Sequence, residues 1–131
     1  MLKFFALFAM IFTCSNALAD WVPIGTNKTN RPTFTVYYDP ATLKRNGKFV
    51  DGWTMYDYEK IQKINKFSFF SIRMKIYFDC QNDEMTETMD IYTTGHMGDG
   101  DIFNPKIASN PIAFPPGSIN AGLEEIFCKK Q

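Results

Sequence analysis

Residues 69–80 read Phe69-Phe70-Ser71-Ile72-Arg73-Met74-Lys75-Ile76-Tyr77-Phe78-Asp79-Cys80. Phe70, Ile72, Met74, Ile76, Phe78 and Cys80 fall on one parity; Phe69, Ser71, Arg73, Lys75, Tyr77 and Asp79 fall on the other. Side chains alternate faces along a strand, so an unbroken apolar period of two predicts a half-buried antiparallel strand. That strand is expected to carry Cys80 on its core side.

The same punctuation extends in both directions. After Asn82-Asp83, Met85–Thr94 alternates again, with Met85, Met89 and Ile91 on one face. Gly95–Asp101 is a glycine-rich turn, and Ile102-Phe103 suits a short strand. Upstream, Phe49–Tyr58 sets Phe49, Trp53 and Met55 against Val50, Thr54 and Tyr56, while Glu59–Lys66 reads as a polar, lysine-rich connection. Asn46-Gly47 is a tight-turn signal, and Asp39-Pro40 opens another turn. Thr33–Tyr38 forms a strand, with Gly25–Pro32 as a polar loop before it. Trp21–Ile24 forms another, which Pro23 confines to an edge or a strand start.

The pattern changes after Pro115-Pro116-Gly117-Ser118. Ser118 is a helix N-cap, and Ile119, Leu123, Ile126 and Phe127 fall on one side of two to three turns, opposite Glu124 and Glu125. So short a helix is marginal alone and needs packing or a crosslink. Cys128 supplies the crosslink, although on an ideal helix it points away from the Ile119–Leu123 stripe; the helix is therefore expected to end by about Phe127. The fold expected is α+β: an antiparallel sheet of about six strands, with a C-terminal helix packed on one face and tethered by a disulfide.

Residues 1–19 read as a signal peptide: Lys3 precedes the apolar Phe4–Phe12, and Ala17-Leu18-Ala19 is a small-x-small cleavage site. The apolar run is too short to span a bilayer core of ~30 Å, and no later segment is long enough, so no transmembrane segment is expected. A single exported domain is expected over residues 20–131, at the cell surface or secreted, or alternatively in the periplasm. Cleavage removes Cys14 and leaves Cys80 and Cys128, an even count that implies one disulfide in an oxidising compartment. Lipidation of Cys14 is the alternative, but Ile11-Phe12-Thr13 lacks the small residue such sites place before the cysteine. The formal charge is balanced at +0, which argues against a nucleic-acid binder.

Five stretches together carry a family resemblance. They are DWVPIG (20–25), TVYYDPATLKRNGKFVDGW (35–53), YFDC (77–80), YTTGHMGDGDIF (92–103) and PPGSINAGLEEIFC (115–128). Taken in order, they resemble the surface-adhesin protein E family of small exported bacterial proteins. The resemblance implies an antiparallel sheet whose concave side holds the C-terminal helix through a disulfide. It also implies adhesion, since the named members sit on the cell surface and bind host matrix or serum proteins. The rival reading is a periplasmic structural or partner-binding envelope protein.

No catalytic constellation is present. His96 is the only histidine, no serine sits in a nucleophile-elbow context, and both mature cysteines are expected to be oxidised. With Asp99 and Asp101, His96 matches neither a calcium loop nor a zinc spacing, so no metal or cofactor is assigned. The densest basic stretch is Lys60, Lys63 and Lys66, followed by Arg73 and Lys75. Phe69 and Tyr77 share the parity of the last two, giving an aromatic and cationic face suited to a protein partner or a second copy of the chain. These seven residues are the candidate protein-binding set.

Overall fold

The computed structural model describes residues 19–28, 32–104 and 110–129. All but the last residue of the expected signal peptide lies outside them. The strands are β1 (Val22–Asn27), β2 (Phe34–Tyr38), β3 (Lys44–Asn46), β4 (Phe49–Ile64), β5 (Phe67–Asp79), β6 (Glu84–Thr93), β7 (Ile102–Phe103) and β8 (Ile112–Ala113), and helix α1 spans Ile119–Cys128. They form one antiparallel sheet in the order β1-β2-β4-β5-β6-β7, with β3 on β4 and β8 on β6. The expected α+β architecture is therefore present. Two short strands, β3 and β8, extend the six of the main path.

The strand order follows from the turns. Gly47, at φ 62°, closes the β3–β4 hairpin where Asn46-Gly47 was expected to turn. Between β2 and β3 a 3-10 turn at Pro40–Thr42 is capped by Asp39, whose Oδ1 accepts the Ala41 N–H at 3.1 Å. The Trp53 N–H donates to Thr42 Oγ1 at 3.0 Å, pinning this turn to β4. As a result β2 pairs with Thr54–Tyr58 and β3 with Phe49–Asp51 of the same long strand. Pro23 does lie in an edge strand, though β1 continues to Asn27, into the segment read as loop.

The core lies on one face of the sheet. Val50, Ile72, Met74, Ile76, Phe78 and Met85 are buried there, and Leu123 and Phe127 of α1 pack on them. Ser118 caps α1 as expected, its Oγ accepting the Ala121 N–H at 3.2 Å. Gly52 lets the helix approach: it pairs with Ile76, and a Cβ there would lie 3.1 Å from the Phe127 ring and 2.6 Å from Leu43. The Cys80–Cys128 bridge is present, with Cα atoms 5.7 Å apart. The helix does not end at Phe127. Cys128 is its last residue, one beyond the expected end, and is bridged to Cys80 just beyond the end of β5.

Two irregularities correct the expected faces. The alternation in β5 holds from Ile72 to Phe78 but slips before it. Phe69, read as an outer-face residue, is 6% exposed and packs edge-on against Tyr58 and Tyr92 in the core. Phe70, read as core, lies instead against His96, with ring centroids 4.2 Å apart. The slip coincides with an irregularity in pairing: Asp57 pairs with Ser71 but Gln62 pairs with Phe69, so β4 carries extra residues opposite this part of β5. A second shift, between Lys75 and Ile76, splits the set read on β6. Met85 pairs with Phe78 and is buried, whereas Met89 pairs with Lys75 and is 46% exposed.

Candidate functional site

Glu59–Lys66, read as a connection, is mostly strand. β4 continues to Ile64, turns through Asn65 (φ 53°) and Lys66, and returns as β5. β2 stops opposite Tyr58 and β6 stops opposite Ser71, so among the described residues the Gln62–Ser68 end of this hairpin has no third strand beside it. The hairpin is an arm projecting past the sheet. Lys60, Lys63 and Lys66 are exposed on it, with Ile61 at 54% and Phe67 at 42% exposure. Phe67 is propped by stacking on Phe103 at 4.6 Å, and Lys66 Nζ lies 5.8 Å from the Phe67 ring centre. A groove of about 590 Å³ runs along the arm's base, bordered by Lys28, Thr33, Lys60 and Ile61.

The seven candidate residues do not form one patch. The three lysines share the arm. Arg73, Lys75 and Tyr77 sit on the sheet face away from α1, where Lys75 Nζ is 3.9 Å from Asp51 Oδ1 and Tyr77 stacks on Phe49 at 4.9 Å. Arg73 is part-covered by the Gly98 backbone, since a Cβ there would meet its Cδ at 3.2 Å. Phe69 is in the core and is unavailable to a partner.

His96 has a structural partner that spacing did not suggest. The Asp57 carboxylate accepts from His96 Nδ1 at 3.1 Å and from the Met97 N–H at 3.0 Å. Ser71 Oγ accepts the Gly98 N–H at 2.9 Å, donates to the Gly95 carbonyl at 2.7 Å and also meets Thr93 Oγ1. Together these bonds clamp the His96–Gly98 3-10 turn onto β4 and β5. Ser71 is 0% exposed with its hydroxyl engaged, which suits a clamp better than a nucleophile. Among the described residues no group of three or more histidine, cysteine, aspartate or glutamate side chains is placed to hold a metal ion.

Carboxyl groups near the core side titrate high. Burial raises Glu87, and neighbouring Asp90 adds to the shift; burial also raises Asp90. Burial pushes the Tyr56 and Tyr92 hydroxyls up to about 12, with Glu87 and Asp90 respectively the next largest cause. On α1, burial, a hydrogen bond that the protonated Glu124 donates to Asp83, and the charge of Asp83 push Glu124 up to about 7 from 4.5. A carboxyl that holds its proton more tightly when folded makes the folded state lose stability as pH rises from its unfolded to its folded pKa. For Glu124 that window runs from about 4.5 to about 7. Glu124→Gln should therefore raise Tm by a few degrees at pH 8, about 1 kcal/mol after allowance for solvent screening, and leave it unchanged at pH 4. Melting curves at the two pH values check this; an equal gain at both would assign the effect to packing.

The fold and the protruding arm can be set against known proteins. The description Surface-adhesin protein E matches residues 21–129. The chain belongs to the surface-adhesin protein E family. Protein E of Haemophilus influenzae has a similar fold. Its crystal form II matches at a TM-score of 0.63 and 16% identity, covering 71% of this chain and 79% of that one. Another structure of the same protein matches at 0.62 and 17%, covering 71% and 76%. Protein E from non-typeable Haemophilus influenzae matches at 0.60 and 15%, covering 83% and 84%. No curated protein matches the chain. Among the described residues no helix is long and apolar enough to cross a membrane. As a member of this family the chain is a surface adhesin.

Proposed function

We propose that this adhesin is exported by cleavage after Ala19 and acts as one non-catalytic domain, residues 20–131, that binds host matrix or serum proteins at the cell surface. Lys60, Lys63 and Lys66 meet an acidic segment of the partner. The arm carries this reading: its end has no third strand beside it among the described residues, and its three lysines, Ile61 and Phe67 are exposed to a partner. Cations ringing a small apolar centre are a common way to build a protein contact, with charge guiding encounter and apolar burial holding it. Arg73, Lys75 and Tyr77 form a second surface, on the sheet face away from α1, for a protein partner or a second copy of the chain.

The test is binding of the disulfide-intact protein to a panel of immobilised matrix and serum proteins. Lys60→Ala/Lys63→Ala/Lys66→Ala should weaken the saturable signal about tenfold at low salt, with the gap narrowing as ionic strength rises, because exposed charges are screened beyond about 8–10 Å near physiological salt. Affinity indifferent to salt, or unchanged in the triple variant, would remove the arm from the contact.

A further inference from the structure

A second groove lies away from the arm, between the last turn of α1 and β2–β3, with a volume of about 770 Å³. Its size is within the range of small-molecule sites, roughly 300–1,000 Å³. Leu43 and Ile126, both partly exposed, give its apolar surface, backed by Val50 and Phe127 at only 2% and 3% exposure. The rim carries Arg45 and Lys129, both exposed, and among the described residues no carboxylate lines the groove.

The two cations are held together by backbone chemistry. Arg45 Nη2 donates to the Lys129 carbonyl at 3.3 Å, tying β3 to the chain as it leaves the helix. That contact covers a carbonyl at the negative end of α1 and uses one guanidinium nitrogen, leaving further donors for a ligand. The apolar side chains of Leu43 and Ile126 beside two cations complement a molecule with an apolar chain and one anionic end. Arginine suits a carboxylate in particular, since its planar fork can bond both oxygens.

We propose that this groove binds a single-chain amphipathic carboxylate, with the alkyl chain along Leu43 and Ile126 and the head group between Arg45 and Lys129. The site is separate from the lysine arm and does not depend on the adhesive reading.

Dodecanoate, kept below its micelle-forming concentration, is the probe, with dodecan-1-ol as its uncharged counterpart. Calorimetric titration of the disulfide-intact protein should give saturable one-to-one binding of dodecanoate. Amide chemical-shift changes should centre on Leu43, Val50, Ile126 and Phe127. Arg45→Gln/Lys129→Gln alters two exposed side chains and should weaken dodecanoate at least tenfold while leaving dodecan-1-ol binding unchanged. Lys60→Gln/Lys63→Gln/Lys66→Gln should leave dodecanoate affinity unchanged. Absence of saturable binding, shifts centred elsewhere, an unaffected Arg45/Lys129 variant, or an equal loss in the arm variant would each overturn the proposal.

Discussion

Replacing both bridge cysteines, Cys80→Ser/Cys128→Ser, should lower the stability of the protein by about 4 kcal/mol. The bridge closes a loop with a sequence separation of 48. In the chain-entropy model such a crosslink restricts the unfolded chain by about that amount. The loss is a large share of the ~5–15 kcal/mol that holds a typical domain together. It should also be uneven. Helix α1 has 10 residues, too few to persist on helical propensity alone, so its amides should lose hydrogen-exchange protection before those of β4 and β5. Denaturant unfolding with and without reductant, alongside exchange, checks both parts. A double variant that unfolds at the same denaturant concentration as the oxidised protein would mean that packing alone seats the helix.

Phe78→Ala should cost about 3–5 kcal/mol, the range for truncating a fully packed phenylalanine. Phe78 is 0% exposed and meets Phe127 of α1 at 5.2 Å and Phe114 at 5.9 Å, both edge-on. Removing the ring opens a cavity under the helix that Phe127 cannot fill without leaving Gly52. Phe70→Ala is the control. It sits in the same apolar run but lies tilted against His96, whose side chain is 52% exposed, so it should cost no more than about 1 kcal/mol. Equal losses in the two variants would contradict the placement of Phe70 outside the core.

That comparison marks where the sequence was legible. Alternation places residues correctly while pairing is regular, as from Ile72 to Phe78 against Val50–Tyr56. It fails where one strand carries extra residues, because a single added residue reverses every later face. Met89 was misplaced for this reason, Phe69 and Phe70 sit where the pairing of β5 with β4 turns irregular, and nothing local to the three announces either shift. Turn and cap chemistry were more dependable: Gly47 and Ser118 each do what their residue type requires at that point. The arm was missed because lysines at every third position look like a solvated connection. The Asp57–His96 clamp joins residues 39 positions apart and follows from tertiary pairing alone.

The central claim is that this family member works at the cell surface. Protease treatment of intact cells producing the native protein tests it most directly, with periplasm and culture medium fractionated in parallel. The account predicts digestion on intact cells or recovery in the medium. Protection until osmotic shock releases the protein would contradict it and place the protein in the periplasm, out of reach of host proteins.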